Sequence, residues 1–108
     1  MTPRTRTRAA DLEAMPFPPG RQSKQAFDTG EIELRHYAPK GIDAQVPHDR
    51  DELYVVIAGT GHFERGPESV RFGPGDVLFA AAHEPHRFRD FSEDFQTWVL
   101  FYGEKKSV

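Results

Sequence analysis

At 108 residues with no cysteine, the chain has room for one domain and none for disulfides, thiolate ligands or a thiol nucleophile. Its formal charge of −3 gives no electrostatic case for binding nucleic acid, and no apolar run reads as a membrane span or as a signal peptide after Met1. The expectation is a soluble, cytoplasmic protein, whose nine prolines and nine glycines favour a turn-rich all-β fold.

In chain order, residues 1–29 read as an N-terminal tail and extension. The basic run MTPRTRTR reads as a disordered terminus. Residues 9–15 can make two turns of helix, which Pro16, Phe17, Pro18 and Pro19 end. Residues 30–108 read as a single β-barrel domain. In GEIELRHYAP (30–39), Ile32, Leu34 and His36 alternate with Glu31, Glu33 and Arg35, as in a half-buried strand. ELYVVIAG (52–59) is a dense β-branched run closed by Gly59 and Gly61, GHFERG (61–66) its hairpin return, and ESVRF (68–72) a further short strand. Gly73, Pro74, Gly75 and Asp76 turn the chain into VLFAAA (77–82). HRFRDF (86–91) and the aromatic FQTWVLFY (95–102) complete six to eight strands, with no convincing helix after residue 16. That pattern argues for a β-sandwich or barrel.

The chemistry gathers at two places. His48 and Glu52 are four residues apart at the start of a strand, so they share a face. His86 follows just past another strand. Two imidazoles and a carboxylate converging on one side of a sheet are ligands for zinc, iron, manganese or nickel. Glu52 also has a structural alternative, as a buried carboxylate paired with Arg50 or Arg87. Water, Gln45 or His62 is available as a fourth ligand, although His62 follows a hairpin turn and reads as solvent-facing. His83 reads as a turn residue. No GxSxG motif is present, and Ser23, Ser69, Ser92 and Ser107 stand at no recognisable spacing from a histidine, which disfavours nucleophilic hydrolysis. The GPGD turn leads into a strand rather than a helix, so it is no phosphate loop.

These segments resemble the paired motifs of the cupin superfamily, G(X)5HXH(X)3–4E(X)6G and G(X)5PXG(X)2H(X)3N. Glu52 is followed after six residues by Gly59, and His48 falls on the second histidine of the first motif. Gly75 opens the second motif, and His86 falls on its histidine. PHDRDELYVV, GPGDVLF and WVLFYG are similar to small bacterial single-domain cupins, and the resemblance covers about residues 30–102. It implies a small jelly-roll barrel with a short irregular or partly helical N-terminal extension. Val46 stands where the first histidine is expected, and Ala81, His83 and Asp90 replace proline, glycine and asparagine. The family's three-His-one-Glu set is thereby reduced to His48, Glu52 and His86.

The expected site is a divalent metal (Fe, Zn, Mn or Ni) in an apolar pocket, with Glu52 as ligand or general base. His36, Val46, Tyr54, Val56, Phe88 and Asp90 are expected to line it. The expected function is that of a metal-dependent enzyme acting on a small organic molecule, or else a non-catalytic binding module. Trp98, Leu100 and Tyr102 lie on one face of the last strand, with Val99 and Phe101 on the other. Both faces must be covered, one by the core and the other by a second subunit of a homodimer or by the N-terminal segment, with Phe17 and Phe27 as anchors.

Overall fold

A computed structural model describes residues 2–107; Met1, in the run read as a tail, and Val108, the last residue of the span read as the barrel domain, lie outside the described residues. A short helix α1 (Ala9–Ala14) precedes eight strands: β1 (Ser23–Asp28), β2 (Ile32–Tyr37), β3 (Asp51–Ala58), β4 (Gly61–Arg65), β5 (Glu68–Phe72), β6 (Val77–Ala80), β7 (His86–Arg89) and β8 (Gln96–Tyr102). They form two antiparallel sheets, one ordered β1-β2-β8-β3-β6 and the other β5-β4-β7. The arrangement is the jelly roll expected from the sequence. Strand β1 is an addition, since SKQAFD lies in the stretch read as an extension, yet it pairs with β2 from Ser23↔Tyr37 to Asp28↔Glu33.

The hydrophobic core fills the space between the sheets. Phe63, Phe72, Phe88, Phe95, Val56 and Leu78 are buried there, and Phe88 packs its ring against Tyr37, Tyr54, Phe63, Phe72 and Phe95. Alternation along β3 sends Glu52, Tyr54 and Val56 inward. At the end of this strand Gly59 has φ +89°, and a Cβ there would meet Phe95 Cα at 2.5 Å. Only glycine fits, which gives a steric reason for the glycine that follows Glu52 after six residues.

Strand β2 reverses the expected sidedness. Register pairs Arg35 with Val99, and Val99 with Tyr54, so Arg35 shares the inward face. His36 pairs with Trp98 and faces outward. The N-terminal segment covers that part of the outer face: Leu12 of α1 is buried, Lys24 Nζ donates to Glu13 O at 3.0 Å, and Gln96 Nε2 donates to Glu13 Oε2 at 3.4 Å. Leu12 is therefore the anchor of that cover. Phe17 is half exposed, with the Lys24 ammonium 4.5 Å from its ring centroid.

Candidate metal centre

His48, Glu52 and His86 come together as the sequence spacing requires. Each offers one ligand atom, and these atoms lie within 4.8 Å of one another. Glu52 is carried inward by β3 and is fully buried. His86 opens β7, and His48 lies in the loop before β3. The turn between β6 and β7 joins the two motifs, because the His83 N–H donates to the His48 carbonyl at 2.6 Å. His83 holds a φ of 64° in that turn, and Asp90 a φ of 50° after β7, so two of the positions that depart from the motif are left-handed. Histidine and aspartate both tolerate that region.

Proton positions at the centre follow from the partners. His86 Nδ1 lies 2.7 Å from the Glu84 carbonyl, which can only accept, so Nδ1 carries a proton. A neutral ring then presents the bare lone pair of Nε2 to Glu52 Oε1, 2.8 Å away. Two acceptors at that distance require a cation between them, either a proton on Nε2 or a metal ion. Glu52 Oε1 is otherwise a sealed carboxylate oxygen with no donor. Burial alone would lower the His86 pKa, but the hydrogen bond and charge of Glu52, with help from the Glu84 carbonyl and Asp43, leave it raised. Ligand histidines are commonly oriented by donating their other N–H to a carbonyl. The His48 ring stacks edge-on to Phe101 at 5.1 Å and makes no side-chain hydrogen bond among the described residues. Neighbouring ligand atoms around a zinc-sized ion lie about 3–3.5 Å apart; the donor set suits a divalent ion, and ligand atoms within 4.8 Å of one another would draw together to hold it.

Tyr54 borders the centre. Its hydroxyl lies 2.9 Å from Glu52 Oε2, 3.1 Å from His86 Nε2 and 3.1 Å from Gln45 Oε1. Burial first, then the Glu52 charge, pushes its pKa well up, so it remains a phenol with one proton to donate. Behind it stands Asp43, a buried carboxylate that sequence reasoning missed. Asp43 accepts from the Tyr37 hydroxyl, from Gln45 N at 3.2 Å and Nε2 at 2.7 Å, and from Phe88 N at 2.8 Å. It ties the loop before His48 to β2 and β7. Nothing in the local pattern GIDAQV marks Asp43; Gln45 supplies two donors nearby, and only the fold brings those of Tyr37 and Phe88.

A cavity of about 720 Å3 opens beside the centre, lined by Val46, His48, Glu52 and Tyr54 among others. It is not the apolar pocket that the sequence implied. Arg35, Arg50, Arg21 and Lys105 also line it, with Glu33 and Asp49. Of the other expected lining residues, Val56 and Phe88 are sealed in the core below, Asp90 is exposed, and His36 lies on the outer face, 2.9 Å from Gln96 Oε1. Gln45 points at Tyr54, and the neighbour of His62, Phe63, is the residue of β4 that faces the core. The structural partners considered for Glu52 are engaged elsewhere. Arg50 bonds the carbonyls of Gly103, Gly30 and Glu31, and Arg87 pairs with Glu64.

A family model described as "Cupin domain" matches residues 33–100. Among curated proteins, an uncharacterized protein of Streptomyces coelicolor is 36% identical over 59 residues, 55% of this chain and 56% of that one. The dimethylsulfoniopropionate lyase DddQ of Ruegeria pomeroyi is 34% identical over 74 residues, 67% of this chain and 37% of the lyase. The chain thus matches about half or less of the length of these relatives. Among solved structures, KdgF from Halomonas sp. superposes with a TM-score of 0.68 at 23% identity, covering 84% of this chain and 87% of that one. TT1209 from Thermus thermophilus gives 0.65 at 20% identity, covering 94% and 97%. The two structural likenesses are likenesses of fold.

Proposed function

The chain belongs to the cupin family, and on that premise we propose that it holds a divalent metal ion on His48, Glu52 and His86 and acts as a metal-dependent enzyme on a small organic molecule. The observation that carries the metal is the convergence of His48, Glu52 and His86, with the sealed Glu52 Oε1 2.8 Å from His86 Nε2, a contact that needs a cation, proton or metal, between them. When bound, the ion would supply Lewis acidity, and redox capacity if it is iron. The Glu84 carbonyl fixes the tautomer of His86. Tyr54 donates its one proton to Glu52 Oε2 and keeps that carboxylate aimed at His86. Glu52 would take a proton from a bound molecule only by swinging off the ion, since Oε1 is sealed where it stands. The aromatic core below closes the cavity floor against water. The 34% identity to a lyase supports an enzyme.

One observation favours the second reading, a non-catalytic binder. Val46, at the motif's first histidine position, is 68% exposed and brings no ligand atom. Elemental analysis of untagged protein beside a His48→Ala/His86→Ala double variant tests the metal. Near-stoichiometric iron, zinc, manganese or nickel in the wild type alone is the expected result. No metal in either, with reconstitution failing, would overturn the site and leave the binder.

We also propose a homodimer. Two apolar rows cross the outer face of the larger sheet, Leu34–Leu100–Leu53–Phe79 and Trp98–Val55–Val77, and Val77 is 60% exposed. Light scattering should give twice the chain mass for the wild type and the chain mass for Val77→Lys/Phe79→Lys; a monomeric wild type at all concentrations sinks the idea.

A further inference from the structure

His48, Arg50, Glu52 and Tyr54 follow one another at period two, and all four line the cavity. Arg50 is the member the metal centre does not use. It is 7% exposed, yet no carboxylate lies within ion-pair distance of it among the described residues. Its Nε donates to Gly103 O at 3.1 Å, and its Nη2 to Glu31 O at 2.8 Å and Gly30 O at 3.4 Å. These bonds leave Nη1 without a partner among the described residues. The sealed and unpartnered side-chain atoms among the described residues are Glu52 Oε1 and His62 Nδ1; Arg50 Nη1 is not one of them, so it is not sealed, and its residue lines the cavity. A buried guanidinium held in place by three carbonyls, with no counter-ion among the described residues and an unsealed edge on a residue that lines a ligand-sized space, lacks an anion. The second buried arginine there is already neutralised: Arg35 pairs with Glu33 at 2.9 Å and donates to Ser23.

We propose that the cavity beside His48 and Glu52 binds the carboxylate of a small organic acid, with the Arg50 guanidinium as its ion partner. The inference rests on the reading of this cavity as the ligand site, and it names the class of ligand. A monoanion suits the charge, because the lining carries four Arg or Lys side chains against three carboxylates, and a dianion would meet those acids. A neutral ligand would leave the Arg50 charge uncompensated. A carboxylate instead converts it into a charge-assisted hydrogen bond.

Butyrate and its uncharged isostere butyramide are the probes, titrated by calorimetry into zinc-loaded and metal-free protein. Butyrate should bind with a Kd of roughly millimolar order, about 10-fold or more tighter than butyramide, in both forms. Arg50→Gln should lose roughly 10- to 100-fold in butyrate affinity, and Arg50→Lys should recover part of it. Equal binding of acid and amide overturns the proposal, as does butyrate binding to metal-free protein that Arg50→Gln leaves unchanged. Should Arg50→Gln fail to fold for want of its three carbonyl bonds, a butyrate co-crystal of the wild type decides. A carboxylate about 3 Å from Arg50 Nη1 supports the proposal, and one seated elsewhere overturns it. Zinc content of the same samples keeps the two readings apart. Acid–amide discrimination without zinc leaves this proposal standing and removes the metal centre, whereas zinc without discrimination does the reverse.

Discussion

The barrel interior has two halves, and Tyr54 stands between them. Below it, Val56, Phe63, Phe72, Phe88 and Phe95 fill a closed space with aromatic and aliphatic side chains. Above it, Glu52, His48, Arg35 and Arg50 open onto a charged cavity. The same strand serves both, since Glu52, Tyr54 and Val56 are successive inward residues of β3. The ring of Tyr54 packs on Phe88 at 4.9 Å and on Phe63 at 5.6 Å, while its hydroxyl belongs to the polar half. One half supplies stability through burial. The other holds buried polar groups that weaken a fold unless each finds a partner, which is the usual trade at a functional site.

That contrast can be broken from either side. Phe88→Ala in the closed half should cost about 3–5 kcal/mol in urea unfolding, because its ring meets five other aromatic side chains. A loss below about 1 kcal/mol would mean the closed half is loosely packed. In the open half the effect should fall on binding. Glu52→Gln should weaken zinc binding by roughly 100-fold or more, without lowering the stability of the metal-free protein at pH above the raised His86 pKa. There an amide N–H can meet the lone pair of His86 Nε2 that a carboxylate oxygen now faces. A large stability loss from Glu52→Gln would show that the carboxylate is structural.

Tyr54→Phe, at the border, should do a little of each. It keeps the ring packing, costs about 1 kcal/mol for the hydroxyl, and weakens zinc binding roughly 10-fold. Zinc affinity should also fall with pH from above the ordinary imidazole range. The raised pKa of His86 means that its nitrogen holds a proton there in competition with the metal. A metal titration repeated across pH checks the direction. The smallest effect lies outside both halves. Arg87 and Arg89 hold the Glu64 carboxyl below its usual range, so the stability it contributes is present above the ordinary carboxylate pKa and is lost as pH falls through the folded value. Glu64→Gln should flatten that part of the acid-stability curve, and salt should flatten it further.

Much of this was legible before the fold was known. Strands β2 to β8 stood out by alternation and turn residues, and the ligand triad by its spacing. Strand β1 did not, because SKQAFD carries few apolar residues and lies along an edge where one neighbour suffices. The sidedness of β2 was misread for a related reason. Hydropathy treats an inward-facing Arg35 as a surface residue, since it cannot tell a polar-lined cavity from solvent. It likewise drew His36 inward, where in fact the N-terminal segment covers it. The Asp43–Phe88 bond spans 45 positions and the Arg50 bonds span 19 to 53, and no local pattern encodes those.

The most direct test of the metal centre is a crystal structure of zinc-loaded protein with anomalous data at the zinc edge. The account predicts one strong peak about 2.0–2.2 Å from His48, Glu52 and His86 Nε2. A peak at His62, at His83 or on the surface, with Glu52 Oε1 still facing His86 alone, would contradict it.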